Sequence, residues 1–498
     1  MAVAEGAQWS GLFRIAPDSG RTLQSQIRET VVGAVLNGRM RADQPLPSCR
    51  TLAKHLGVAR GTVVLAYQQL LDAGFLVAVE RRGHFVNPEA LPVTPKVARG
   101  NGASDGPDWD AFGARPLGPL RIPRKPADWL SYPYPFVYGQ FDPTLFPVNE
   151  WRECARMALG VREIRDWAAD WADRDDPLLI EQLRTRVLPR RGIFARPEEI
   201  MVTLGAQNAL YLLTALLGGA DRAFAVEDPG YPDAREIFDL GGEVVPVGMD
   251  RNGIDPTRVP ERCSILFCTP SHQCPTGISM PRERRDALLE WADERQGLVI
   301  EDDYDSQLLD RPEGGSVPAG EALPALKSLD RAGRVVHIGS LSKTLAPGLR
   351  LGFLVADADL VRRLRRLRRL VLRHPPANNQ RAVAIFLSLG HHDALVRRLV
   401  RSMREKRDAL REAMAEHMPR FDAGPGAASA SIWFRGPREI DTERLAEAAR
   451  ERGVIVEPGD VFYANPETAP RDALRFGVTA IDRRRIDKGV RALAGTMR

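Results

Sequence analysis

The stretch Val335–Phe353 restricts this chain more than any other. It reads VVHIGSLSKTLAPGLRLGF. An apolar run ends in Gly339 and Ser340. Ser342, Lys343 and Thr344 follow, then a Pro-Gly turn, then Arg350 ahead of a second apolar segment. Small residues let a backbone approach a phosphate, and hydroxyls and a guanidinium can bind it. A lysine in such a loop can condense with an aldehyde cofactor. Taken alone, a glycine-rich loop with a solvated lysine is the plainer reading. Arg350 and the motifs found elsewhere reverse that balance.

At 498 residues the chain can hold two or three domains around a large core. Lysine and arginine total 70 against 65 acids, a net charge of +5, so only local charge distribution can point to nucleic acid. Cys49, Cys154, Cys263, Cys268 and Cys274 form neither a C-x-x-C pair nor a His-Cys metal pattern. Reduced thiols in a cytoplasmic protein are therefore expected. No apolar run approaches the roughly 20 residues that span a bilayer. The first residues lack a basic region ahead of an apolar one, so neither a membrane anchor nor a signal peptide is expected. No repeat with a period of tens of residues is present.

Residues 12–87 carry a pattern of short helices. Leu23, Ile27, Val31 and Val35 recur at helical spacing, and Gly38 stops the run. After Pro45 and Pro47, Ser48 can cap a helix beginning CRTLAKHLG. The turn GVAR leads to a second helix, TVVLAYQQLLDAG, which predicts a helix-turn-helix. FLVAVERRGHFV reads as two strands around a basic turn, a wing. The order L-P-S-x-R-x-L-A, G-V-A-R-G-T-V, wing and G-x-F-V resembles the GntR-type winged helix. That resemblance implies a double-stranded DNA operator as partner. Arg50 and Arg60 would contact phosphate or base, Gly61 and Thr62 would lie where the recognition helix enters the major groove, and Arg81, Arg82 and His84 would sit on the wing. An arginine can pair with a phosphate or grip guanine through two hydrogen bonds. The bland alternative is a small helical module that binds protein.

Residues 88–130 are rich in Pro, Gly and Ala without a period, and read as a stiffened, mostly irregular linker. Arg99, Arg121, Arg124 and Lys125 are expected there as solvating charges, a second DNA site being the alternative.

Residues 131–498 form the large domain. The stretch P-F-x-x-G-x-x-D-x-x-L-F-P-x-x-x-W, from Pro135 to Trp151, resembles the opening segment of the aminotransferase-like domain in MocR-type regulators. Asp173, Arg174, Asp175 and Asp176 replace the usual glycine-tyrosine-rich turn at the substrate entrance, and these acids could suit a second amine on the ligand. From Ile200 apolar strands alternate with helices, which predicts an α/β core with a mostly parallel sheet. Gly205, Ala206 and Gln207 form a turn at a helix N-terminus, a natural phosphate site.

The remaining signals come in the order found in fold-type I pyridoxal-phosphate aminotransferases. Tyr231 after Pro-Gly matches the residue that stacks on the pyridine ring. T-P-S-H-Q-C-P-T-G places Cys274 where many transaminases have an asparagine that binds the cofactor's phenolic oxygen. A thiol is a poorer donor. Asp302 and Tyr304 match the residues that pair with the pyridine nitrogen and the phenolic oxygen. The alternative for Glu301, Asp302, Asp303 and Asp305 is a metal site, but no histidine stands nearby in the sequence and no metal is expected. Ser340, Ser342 and Arg350 would hold phosphate and Lys343 the aldehyde, with Lys343 also the catalytic residue of any turnover. Arg475, in ALRFGVTAI, would grip an effector carboxylate through a bidentate fork, the alternative being a surface ion pair. In DLVRRLRRLRRLVLRH, Leu360, Leu364, Leu367 and Val371 form one stripe and arginines cover the rest. A surface helix is the expected reading, and a DNA-touching patch over Arg362–Arg373 is the alternative.

Together these features resemble the MocR/GabR family of transcription regulators over nearly the whole chain. The resemblance implies pyridoxal 5'-phosphate as cofactor, held by Lys343 as an internal aldimine. It implies a small amine or amino acid as effector, recognised by forming an external aldimine, and a head-to-tail homodimer. The competing expectation is a working aminotransferase with an accessory DNA-binding domain.

Overall fold

The structure, a computed structural model, describes residues 12–13, 15–16, 20–42, 45–91, 111, 118–170, 173–308, 323–424 and 430–497. Arg99 lies outside them. The chain forms two compact units, Met1–Arg115 and Pro116–Arg498. No helix among the described residues is long and apolar enough to cross a membrane.

The N-terminal unit has helices α1 (Leu23–Leu36), α2 (Cys49–Leu56) and α3 (Arg60–Asp72), followed by strands β1 (Leu76–Val79) and β2 (Gly83–Val86). Thr22 and Ser48 cap the first two helices, their hydroxyls accepting from the amides of Ser25 and Thr51. Gly57, at φ 66°, ends α2 in the left-handed region that favours glycine and so lets α3 leave at an angle. Ile27, Val31 and Val35 pack in one core with Val63, Ala66, Tyr67 and Leu70 of α3. Leu23, the first position of the expected stripe, is instead 39% exposed. The strands pair antiparallel from Leu76 against Val86 to Val79 against Gly83, as the wing reading requires.

The C-terminal unit opens with β3 (Tyr134–Pro135) and helices α4 (Val148–Ala158), α5 (Val161–Trp167) and α6 (Pro177–Gln182). Its centre is a sheet built from β4 (Ile200–Thr203), β5 (Ala223–Asp228), β6 (Glu243–Asp250), β7 (Gly253–Ile254), β8 (Cys263–Cys268), β9 (Leu298–Asp303), β10 (Val335–Ser340) and β11 (Gly352–Val355). The order is β4-β11-β10-β9-β8-β5-β6-β7. From β10 through β6 the neighbours run parallel, while β11 is antiparallel to both its partners, as is β7 to β6. The inner strands are near-continuous apolar runs because both faces are covered. Helices α7 (Ala206–Leu217), α8 (Pro232–Asp239) and α11 (Ala358–Val371) pack on one face with Phe224, Phe267, Ile300 and Ile338. On the other, α9 (Arg282–Glu294) and α10 (Leu326–Leu329) pack with Leu266, Val299 and Val335.

Helices α12 (Ala377–Ser388) and α13 (His391–His417) lead to a second layer. There β12 (Asp422–Ala423), β13 (Ser431–Arg435), α14 (Thr442–Glu451), β14 (Val454–Ile455), β15 (Glu457–Pro458), β16 (Ala473–Gly477) and α15 (Arg483–Ala494) follow in turn. Its sheet has the order β12-β13-β16-β15, and β3 pairs parallel with β14. That pairing brings Phe136 into the second core and sends the chain from Val137 onward across the end of the large sheet.

Part of the segment expected as linker is fixed to the C-terminal unit. Arg121 donates to the carbonyls of Asp460 (3.2 Å), Tyr463 (3.1 Å) and Ala464 (3.4 Å) and lies 3.6 Å from the Asp460 carboxylate. It is an anchor and not a solvating charge. Lys125 sits with its ammonium 5.0 Å above the Trp129 ring.

The arginine-rich helix keeps most of its expected stripe, with Leu360, Leu364 and Leu367 packed against the sheet, and departs from it at Val371 and Arg368. The buried side chains of α11 are Val361, Leu364 and Arg368, whereas Val371 is 48% exposed. Arg368 is fully buried and donates to Asp175 Oδ1 at 2.5 Å and to the Val202 carbonyl at 2.7 Å. Arg365 takes the other oxygen of Asp175 at 2.8 Å. Arg362 and Arg363 pair with Asp359, Arg369 with Asp173 and Arg373 with Asp170. Asp176 caps α6 and accepts from Arg381 at 2.7 Å. The acids at 173, 175 and 176 thus bind arginines: Asp175 ties β4 to α11, Asp173 pairs with α11 and Asp176 with α12. They border a separate hollow of about 690 Å³ and not the cavity that holds Lys343, which corrects the expectation that they face a ligand's second amine.

Removing one member of a buried pair leaves an uncompensated charge. Asp175→Ala is expected to cost about 3–5 kcal/mol, read as a lower denaturant midpoint. Asp173→Ala, at the exposed pair, should cost under about 0.5 kcal/mol. Equal effects would contradict the burial argument.

Candidate functional site

The carboxyl ends of β4, β5, β8, β9 and β10 lie along one edge of the large sheet, where open α/β sheets bind ligands. On β9, Ile300 and Asp302 share a face, and the register sets Asp302 beside Ile338, two residues before Ser340 on the same face of β10. Asp302 and Lys343 therefore line one cavity of about 540 Å³ with Ala206, Gln207, Tyr231, Tyr304, Ser340 and Arg475.

Glycines set the depth of this edge. A Cβ on Gly352 would come 2.8 Å from the Gly205 Cα and 2.9 Å from the Gly339 carbonyl oxygen, so only glycine lets β11 lie against the turn before α7. Gly205 has φ 98°, and a Cβ there would meet the Arg350 guanidinium at 3.4 Å. Arg350 itself is held at φ 49°. The structure thus gathers Gly205, the N-terminus of α7 and Arg350. Ser340 Oγ accepts from the Ser342 amide at 3.2 Å, and Ser342 Oγ is buried without a hydrogen-bond partner among the described residues.

Around Lys343 the charges are enclosed. Its ammonium stands 4.5 Å from the centroid of the Tyr138 ring, and a Cβ on Gly139 would touch it at 3.0 Å. Burial, and then the neighbouring Arg475, push its pKa below the usual lysine range. Burial, reinforced by Asp303, pushes Asp302 up to about 8, and its Oδ1 has no hydrogen-bond partner among the described residues. The other acids of the run are committed elsewhere. Glu301 accepts from the Leu326 and Lys327 amides and meets His337 at 2.9 Å, Asp303 pairs with Arg191 at 2.8 Å, and Asp305 lies 3.4 Å from His272. Tyr304 OH is 2.8 Å from His272 Nδ1.

Arg475 is buried, not at the surface. Its Nε donates to Glu457 Oε2 at 2.6 Å, its Nη1 reaches Cys274 Sγ at 3.8 Å, and its guanidinium lies 4.5 Å from the ring centroids of both Tyr138 and Phe462. Glu457 therefore already holds one edge of the fork expected to grip a carboxylate. Burial raises the Cys274 thiol to about 12, so it stays protonated. Gln207 donates to Asp233 Oδ1 at 2.7 Å and lies 3.5 Å from Tyr231 OH.

In the N-terminal unit, Arg50, Arg60, Gly61, Arg81 and Arg82 are exposed. Thr62 is half-buried. So is His84, whose ring packs edge-on against Tyr67 with centroids 5.1 Å apart. Arg82 lies over the Phe85 ring at 5.3 Å.

Sequence reasoning missed Tyr138, Glu457, Phe462, His272 and Lys125. Glu457 had a detectable signal, an acid closing the otherwise apolar run VIVE. Lys125 had none, because its neighbours read as linker.

Residues 172–493 match the aminotransferase class I and II family, and residues 23–86 match the gntR family of bacterial regulatory proteins. The chain belongs to the MocR-type family of HTH-type transcriptional regulators, in which these two segments are joined. The HTH-type transcriptional regulator TauR of Rhodobacter capsulatus is 42% identical over 98% of this chain and 99% of its own length. The probable rhizopine catabolism regulatory protein MocR of Rhizobium meliloti is 28% identical over 96% and 94%. Among solved structures, a kynurenine aminotransferase of Pyrococcus horikoshii in complex with PMP superposes with a TM-score of 0.67 at 25% identity, over 74% of this chain and 92% of that one.

A carboxyl whose folded pKa is raised contributes stability at low pH and loses it as pH rises through the folded value. The cofactor-free chain should therefore lose melting temperature from pH 6 to pH 9 as Asp302 ionises near about 8. Asp302→Asn should flatten that decline. An identical slope in both proteins would show that Asp302 ionises at an ordinary pKa.

Proposed function

We propose that the C-terminal unit binds pyridoxal 5'-phosphate and senses a small amine or amino acid, and that the N-terminal unit carries this signal to a double-stranded DNA operator. One observation supports the cofactor most. A desolvated amine, Lys343, shares a cavity with a buried carboxylate, Asp302, one oxygen of which has no hydrogen-bond partner among the described residues. The donor set fits the cofactor. Asp302 suits a protonated ring nitrogen, Tyr231 a ring face and Tyr304 the phenolic oxygen. Gly205, Ala206, Gln207, Ser340, Ser342 and Arg350 suit a phosphate. When bound, the cofactor supplies an aldehyde carbon that primary amines attack.

The chain's residues have separate tasks in this reading. Lys343, whose pKa burial lowers, offers a nucleophilic nitrogen to the cofactor and can pass a proton there. Arg475 holds a negative group of the effector, and Tyr138 and Phe462 screen it from water. An effector shifts DNA affinity only by contacts that differ between the two states of the protein. Arg50, Arg60, Gly61, Thr62, Arg81, Arg82 and His84 would face the DNA. Val148, Leu159 and Val161, all more than half exposed on α4, α5 and their junction, support self-association, for which a head-to-tail homodimer is the proposed form. A lysine with a lowered pKa equally suits repeated proton transfer, which keeps a transaminase with an accessory DNA-binding domain as the second reading.

Two measurements decide. The purified chain with added cofactor should show visible absorbance that Lys343→Ala abolishes. Amines should then shift that spectrum without multiple turnover, while an α-keto product accumulating over many cycles would favour the enzyme. On its promoter DNA, Arg60→Ala should weaken binding about tenfold or more and lower the salt slope by about one. Unchanged affinity would remove Arg60 from the DNA surface.

A further inference from the structure

Resting on the cofactor reading above, we infer that His272 is a positioning residue that obliges Tyr304 to donate its proton into the Lys343 cavity. His272 stands on the loop after β8, is 4% exposed and is not among the residues lining that cavity. It acts through Tyr304, which does line it. Its Nδ1 lies 2.8 Å from the Tyr304 hydroxyl, and the two rings meet edge-on with centroids 5.9 Å apart. Tyr138 also packs edge-on against Tyr304, at 6.4 Å. Two rings thus hold the phenol, and what is left to set is the direction of its O–H.

A contact between an imidazole nitrogen and a hydroxyl can run either way, so the neighbours of the imidazole decide. The same Nδ1 lies 3.4 Å from Asp305 Oδ2. A lone pair on Nδ1 would face that oxygen and be repelled, whereas an N–H is attracted. His272 Nε2 is buried with no hydrogen-bond partner among the described residues. A proton placed there would be a stranded donor in a dry position. Both observations put the proton on Nδ1. Burial pulls the ring's pKa below the ordinary value, with Asp305 opposing the fall and Arg475 and Arg407 adding to it. A protonated ring would donate from Nδ1 as well, so the direction holds in either charge state.

Tyr304 therefore accepts from His272, and its own proton is free for the cavity. Burial and then Asp305 raise the Tyr304 pKa well above the ordinary value, so the phenol keeps that proton. A hydroxyl that accepts on one side donates more strongly on the other, because chained hydrogen bonds polarise one another. A strong donor toward the cofactor's phenolic oxygen holds negative charge there and opposes protonation of the bound cofactor.

The test uses the full-length chain loaded with pyridoxal phosphate and reads the pH midpoint of its visible band. Tyr304→Phe should raise that midpoint by about one unit or more, the scale of a hydrogen bond to a charged group. His272→Leu should raise it by about half a unit or more, the scale of an ordinary hydrogen bond. His272→Asn, whose amide can offer a donor in place of Nδ1, should bring it back toward wild type. In the Tyr304→Phe background, His272→Leu should add nothing. An unmoved midpoint in His272→Leu, or the same shift with Tyr304 absent, overturns the inference while leaving cofactor binding intact. NMR of the histidine nitrogens in the unsubstituted chain reads the tautomer without any variant, and a proton on Nε2 alone also overturns it. No visible band in the wild-type chain overturns the cofactor reading and this inference together.

Discussion

A half-buried amine, Lys343, and a buried carboxylate, Asp302, whose Oδ1 has no hydrogen-bond partner among the described residues, face one cavity and set the terms for the rest of this structure. Isolated charges in a dry site are costly, and proteins normally shift or pair them. Both routes are visible here. Lys343 is pushed toward its neutral form and Asp302 toward its protonated one. The sheet makes this possible. Parallel strands bring all their carboxyl ends to one edge, so groups distant in sequence converge without long loops. Gly339 and Gly352 let the antiparallel β11 close against β10 and the Gly205 turn, which leaves Arg350 above that turn. Without that approach the lysine loop would not sit over the same cavity as Asp302.

Two buried arginines show how similar chemistry serves different ends. Arg368 joins α11 to the start of the large sheet through Asp175 and the Val202 carbonyl. It is not among the residues lining the Lys343 cavity and acts as a structural tie. Arg475 is also paired, yet it lies between two aromatic faces within that cavity. Glu457 fixes its orientation and consumes part of its capacity for anions. A fork of this kind positions well but attracts weakly, because its net local charge is close to zero.

The helices and wing of the N-terminal unit were legible because their signals are local. Ser48 caps, Gly57 turns, and Ile27, Val31 and Val35 repeat at the helical period. The alternation of strands and helices after Ile200 was legible for the same reason. What escaped sequence reasoning was non-local. Arg121 looks like any basic residue in a proline-rich stretch until three carbonyls from residues 460 to 464 close on it. The aspartates at 173–176 read as a polar turn until Arg365, Arg368 and Arg381 arrive from about two hundred residues away. The stripe on α11 holds at Leu360, Leu364 and Leu367, which pack against the sheet, but it fails at Val371 and misses Arg368, because hydropathy ranks valine above arginine. Arg368 is buried through its ion pair, while Leu370 is left 83% exposed.

Cys274 bears on the balance between sensing and turnover. The matching asparagine of many transaminases donates a hydrogen bond toward the cofactor's phenolic oxygen. A thiol held protonated by burial donates weakly, and this one already contacts Arg475. On the proposed reading, donation on that side would fall to Tyr304, whose hydroxyl is itself held 2.8 Å from His272. One strong donor in place of two stabilises negative charge on that oxygen less. On the proposed reading, a site with that bias would favour capture and retention of an amine over rapid proton transfer and release, as a receptor whose occupied state must last long enough to change DNA binding requires.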